Sequence, residues 1–199
     1  DADLRAAAGR VIDFCTAELS PSGTFWGVWY RGTGWTQSWT RHRRGLHSRS
    51  LGEATQFLVR AVEATGDASW RRAVVSNLDA VLARQRADGA LGSIHHAETG
   101  EVLSWQGSAG LAWVGALAEA SAWDPRYLPA AERAGDHYAA LVHAENLHGA
   151  PEDVDLAPTS EDGYVAVMAY LALHRATGER SWLALARRAA DVAVPVRDS

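Results

Sequence analysis

Apolar positions recur along this chain in two alternating styles. In the first, Trp70, Val74, Leu78, Val81 and Leu82 form one stripe at helical spacing, while Arg71, Arg72, Arg84 and Arg86 fall elsewhere. Tyr127, Ala131, Ala134, Tyr138 and Leu141 repeat that arrangement. A one-sided stripe belongs to a helix of an outer layer, and the pattern predicts such helices over about 3–19, 68–86, 126–143 and 180–193. In the second style the apolar residues run unbroken. Tyr164 to Leu173 is ten apolar residues in a row, and Leu111 to Leu117 is similar, with Gly110 and Gly115 permitting close approach. A helix apolar all round is covered all round, so inner helices are predicted over about 49–65, 107–121 and 161–177.

The two styles alternate with a period near 56. Trp70, Tyr127 and Trp182 stand 57 and 55 residues apart, and nine residues after each comes an aspartate: Asp79, Asp136 and Asp191. Leu4 and Asp13 repeat the spacing at the start. A fixed period of this order marks stacked helical units that cannot bury their apolar faces singly. The fold class expected is all-α, an arc of helical hairpins with about 3.5 repeats, forming one domain over residues 1–199. The repeated aspartates, mid-helix on outer elements, predict a structural task such as holding an adjacent hairpin.

The connections are unequal. Inner-to-outer turns are short, with Gly66 and Gly178 placed as helix C-caps and Pro125 at a helix start. Outer-to-inner loops span 20–48, 87–104 and 144–160, about 29, 18 and 17 residues. Loops beyond about 12–15 residues without regular structure are functional or disordered more often than not. The repeat gathers all three at one end, against the N-termini of the inner helices and the positive poles of their dipoles. That end is where chemistry is expected.

Composition narrows the partners. Net charge is −5 with a pI near 5.9, so there is no surplus of cations to neutralise phosphates, and a nucleic-acid partner is not expected. Neither an 18-residue apolar run nor a signal-peptide pattern is legible, which predicts no membrane span and leaves the compartment open. Cys15 is the single cysteine, so no intrachain disulfide forms. The missing first Met predicts a processed start or a piece of a longer polypeptide.

The densest acidic stretch is Glu152-Asp153-Val154-Asp155, then Pro158-Thr159-Ser160-Glu161-Asp162-Gly163, with five carboxylates just ahead of a buried helix. Glycoside hydrolysis commonly sets two carboxyl groups across the scissile bond. Glu161 paired with Asp155 is the expected catalytic set, with Asp162 a third candidate; Thr159 to Asp162 also spells a capping box. Aromatics crowd the first long loop, where Trp35 and Trp39 are the expected stacking platform. Arg49, Gln106 and Glu161 occupy equivalent places before successive inner helices and converge on one rim, joined by Trp105 and by His95 for hydroxyl recognition. His95, His96 and Glu98 lack the spacing of a helical zinc site, so no metal and no cofactor are expected.

The alternation of inner and outer helices, the period, and the segments Gln85-Arg-Ala-Asp88-Gly89-Ala-Leu91-Gly92 and Trp105-Gln106-Gly107 resemble the six-hairpin glycosidase superfamily. The resemblance implies an (α/α)6 toroid and carbohydrate processing, by a glycosidase or related enzyme, in a cleft at the long-loop end. Six hairpins at this period need about 340 residues, so the resemblance also implies a homo-oligomer or the remainder of a larger chain. Two other readings stand. Gln85-x-x-x-Gly89-x-Leu91 is loosely similar to the Gln/Trp repeat of isoprenoid cyclases, although Asp153-Val154-Asp155-Leu156 departs from their Asp-x-Asp-Asp run in its last place. A non-catalytic binding or assembly module is the third.

Overall fold

The computed structural model describes residues 2–153 and 156–193. Seven helices are present among them: α1 (Ala2–Thr16), α2 (Ser48–Thr65), α3 (Ala68–Leu82), α4 (Leu111–Glu119), α5 (Tyr127–His143), α6 (Ser160–Thr177) and α7 (Arg180–Ala193). The inner helices α2, α4 and α6 pack side by side, and α3, α5 and α7 lie outside them. Every residue of α4 from Leu111 to Ala118 is buried. The described residues form an open arc, mostly helical, with no closed barrel. No helix among them is long and apolar enough to cross a membrane.

Local chemistry sets the helix ends. Gly66 and Gly178 cap α2 and α6 in the left-handed region at φ 73° and 75°, each returning its N–H to a carbonyl of the last turn. Thr159 and Asp162 close a capping box at the start of α6. Three boundaries differ from the sequence expectation: α1 ends at Thr16 rather than near 19, and α3 at Leu82 rather than near 86. α4 starts at Leu111 rather than near residue 107, because Gly107 sits at φ 80° and Ser108 donates its backbone N–H to His148 O across to the third loop.

The inner layer is close-packed through glycines. A methyl group on Gly52 of α2 would lie 2.7 Å from the backbone carbon of Ala112 in α4, and one on Gly115 would lie 2.6 Å from the Gln56 amide oxygen. Gly52→Ala therefore forces the inner pair apart, and overpacking of this kind costs about 1–3 kcal/mol. Thermal unfolding should show it as a loss of several degrees; an unchanged melting temperature would refute the close approach.

The repeated aspartates tie neighbouring outer helices. Trp70 Nε1 donates to Asp13 Oδ1 at 2.7 Å, and Tyr127 Oη donates to Asp79 Oδ1 at 3.1 Å. The third interval is different: Trp182 stacks on Tyr170 at 6.0 Å and its buried indole N–H has no partner among the described residues. At the first edge of the arc α1 buries no residue, and Leu4, Val11 and Phe14 remain 70%, 62% and 47% exposed on it.

Two of the long loops hold regular structure, against the expectation that they lack it. Residues 20–48 carry β1 (Val28–Tyr30), β2 (Gly34–Thr36) and β3 (Gly45–His47); residues 87–104 carry β4 (Ile94–His96) and β5 (Val102–Ser104). β1 and β2 form a hairpin with Trp29 opposite Trp35. β3 pairs with β4, Leu46 opposite His95, and β4 with β5, so the two loops share one antiparallel sheet. Strands of three residues are too short to print a period-two pattern.

Candidate functional site

The three loops converge. A cleft of about 420 Å³ opens between the N-termini of α2 and α6, walled by Val28 and Trp39 of the first loop, Arg49 and Ser50 of α2, Glu152 and Asp153 of the third loop, and Glu161 of α6. Behind Glu152 and Asp153 lies a second hollow of about 150 Å³, where Arg41, His42 and His47 face Ser93, Ser104 and Gln106 of the second loop. Residues from 20–48, 87–104 and 144–160 thus meet at one mouth.

Glu152 joins the first loop to the third. Its Oε2 accepts the Trp39 backbone N–H at 2.8 Å, and its Oε1 accepts the Ser50 hydroxyl. The Trp39 indole N–H is spent on Tyr30 Oη at 2.8 Å. With both polar edges tied, Trp39 still leaves 60% of its surface to solvent. An aromatic face that is both fixed and exposed is a stacking surface with its ordering cost already met.

Arg49 organises the opposite wall. Its Nε lies 3.2 Å from Glu53 Oε2, and its Nη2 lies 3.2 Å from Glu161 Oε2 and donates to Tyr164 Oη at 3.1 Å. Tyr164 in turn donates to Glu53. Burial, then the hydrogen bond to Glu53, pushes the Tyr164 phenol above its usual range, so it serves as a neutral donor. Glu161 is held at its carboxylate by one guanidinium and keeps 41% of its side chain open to the cleft.

Asp162 is placed differently. It is 1% exposed, its Oδ2 accepts the Thr159 N–H and hydroxyl at 3.0 and 3.1 Å, and its Oδ1 accepts the Ala150 N–H and Ser108 hydroxyl at 2.8 and 3.2 Å. These four bonds cap α6 and pin the third loop to the start of α4. Asp155 lies outside the described residues.

The other expected contacts divide. Gln106 lines the second hollow. Trp35 packs on Phe14 at 5.1 Å and borders a separate depression with Trp26 and Arg44, so the hairpin parts it from Trp39. Trp105 lies under the Arg86 guanidinium at 4.9 Å. His95 is buried and walls neither hollow; burial pulls its pKa from 6.5 down to about 4. His47, also buried, falls to about 4 for the same reason and through the Arg49 charge, while its Nδ1 accepts the Arg49 N–H to cap α2. Among the described residues no three His, Cys, Asp or Glu side chains gather as a metal would require.

Sequence reasoning missed Glu53, Tyr164 and the bridging part of Glu152. Glu53 was open to detection, since Arg49 and Glu53 stand at i, i+4 on a predicted helix. Tyr164 shares a helix face with Glu161 three residues earlier, but in the sequence it opens an apolar run.

An arc of inner and outer helices with long loops at one end is the fold of the six-hairpin glycosidase-like α/α toroids. The chain matches the unsaturated glucuronyl hydrolase of Bacillus sp. GL1, responsible for the degradation of glycosaminoglycan, with a TM-score of 0.68 and 16% identity over 96% of this chain and 56% of that one. A structure of such a hydrolase with dGlcA-Glc-Rha-Glc gives the same values. D-mannose isomerase matches with a TM-score of 0.66 and 17% identity over 96% and 50% of the two chains. The chain thus spans about half the length of the structures it matches. No family model and no curated protein matches it. At these identities the likeness is one of fold.

Proposed function

We propose that the cleft between α2 and α6 binds a saccharide and hydrolyses a glycosidic bond within it. One observation carries the reading: a fixed, exposed Trp39 ring and the Glu161 carboxylate share a cleft with acids of the third loop. In this reading the sugar stacks on Trp39 and Arg49 orients Glu161. The second carboxyl group within the described cleft is Asp153 of the third loop, and the pair divides the acid and base or nucleophile roles that glycoside hydrolysis requires. Asp162 is architectural. The fold supports the substrate class, since its structural neighbours include a glycosaminoglycan-degrading hydrolase and a sugar isomerase.

Titration calorimetry with oligosaccharides tests it. Binding is expected, and Trp39→Ala should weaken it by about tenfold, the value of one aromatic stacking face, with the melting temperature retained. Absence of binding across neutral and charged oligosaccharides, or full affinity in the Trp39 variant, would remove the basis for a sugar site.

A further inference from the structure

Resting on that reading of the cleft, we propose that it selects its saccharide by charge, admitting neutral and amino sugars and turning uronates away. A uronate carboxylate needs a guanidinium or a set of unspent N–H donors facing it. The guanidinium of the main cleft, Arg49, is already shared between Glu53 and Glu161, each at 3.2 Å, and Tyr164. It is flanked by one more carboxylate than it neutralises.

The opposite wall adds Glu152 and Asp153. The partners of Glu152, the Trp39 N–H and the Ser50 hydroxyl, are neutral donors that fix the carboxylate without cancelling its charge. Arg41 and His42 lie in the adjoining hollow beyond these two acids. Among the described residues of the two hollows, three carboxylates, Glu152, Asp153 and Glu161, face the guanidiniums of Arg41 and Arg49, and Glu53 stands behind Arg49 as a further carboxylate.

Two inner-helix N-termini oppose this field, each with roughly half a positive charge. Both are occupied. Thr159 and Asp162 cap α6, and the His47 ring caps α2. What remains suits an ammonium or a hydroxyl and repels a carboxylate. The glucuronyl hydrolase of the same fold is named for a uronate-bearing substrate, so the two clefts differ in the charge they accept.

Matched tetramers of glucose, glucosamine and glucuronic acid, in both the α- and β-1,4-linked series, separate the possibilities by calorimetry. The expected order of affinity is glucosamine, then glucose, then glucuronate, with the ends about tenfold or more apart at low salt and converging near 1 M salt as charges are screened. Glu53→Gln releases Arg49 from one of its two carboxylates and should raise the glucuronate-to-glucose affinity ratio about fivefold; Asp153→Asn should shift it the same way. Equal affinities for all three, or glucuronate binding tightest, overturn charge selection while leaving the sugar site intact. Failure of all three to bind overturns the sugar site itself, and charge selection with it.

Discussion

Glu161→Gln is expected to lower turnover of a bound oligosaccharide by about 10²- to 10⁴-fold, the usual contribution of a positioned acid or base, while leaving the protein folded. The side chain reaches the cleft from the first turn of α6, where, among the described residues, the ion pair with Arg49 holds it. A half-exposed pair of this kind contributes about 0–1 kcal/mol, and Arg49 keeps Glu53 when the charge is removed. The amide is close in shape to the carboxylate, so saccharide affinity should stay near that of the wild type. Asp162→Ala should do the reverse. It strips the acceptors from Thr159, Ala150 and Ser108 in a buried place; unsatisfied buried groups and a lost cap together cost about 2–4 kcal/mol. Turnover and melting curves on both variants check the contrast. Loss of folding in the Glu161 variant, or turnover unaffected by it, would reassign the acid at the cleft.

Acidification from pH 6.5 to 4 should destabilise the fold steeply, through two histidines. His47 and His95 have folded pKa values near 4 against an ordinary 6.5, both chiefly because burial penalises the charged ring. Above pH 6.5 both the folded and unfolded forms are neutral at these sites and their contribution is complete. Between 6.5 and 4 the unfolded chain takes up protons that the folded chain refuses, and each histidine withdraws up to about 3 kcal/mol. Below pH 4 both forms are charged and this loss levels off. Asp67 and Asp124 act later, below about pH 4. The hydroxyl of Ser69 and the guanidinium of Arg126 hold their carboxyls below the usual range. Melting temperatures across pH 4–7 should therefore fall towards acid, with about two protons taken up on unfolding. His95→Gln should remove about half of the slope. A flat profile, or one rising towards acid, would contradict the burial of both rings.

The helices were legible because their apolar stripes extend over three or more turns. Gly66, Gly178 and the Thr159 capping box fixed several ends from local chemistry alone. Gly107 shows where that stops: its φ of 80° and the link from Ser108 to His148 delay α4, and neither leaves a trace in periodicity. Repeat position was a guide to the meeting of Arg49 and Glu161 in one cleft, while Gln106, at the equivalent place, lies in the adjoining hollow. The site was not legible where it depended on the course of a loop. Trp35 and Trp39 are four residues apart, yet the β1–β2 hairpin sends one towards Phe14 and the other to the cleft. His95 and His96 are adjacent, yet β4 buries the first and leaves the second at the rim of an outer hollow with Arg43 and Arg44. Glu152 reaches Trp39 across 113 positions, a pairing no local pattern records.

The links from Trp70 to Asp13 and from Tyr127 to Asp79 have a geometric consequence. Each joins one outer helix only to the one before it, so the bend of the wall is written joint by joint, and the third interval, where Trp182 stacks on Tyr170, is built differently. Severing one, as in Asp79→Leu, would let the wall flex at that place alone and widen the mouth between α2 and α6, while the stretches on either side keep their own curvature.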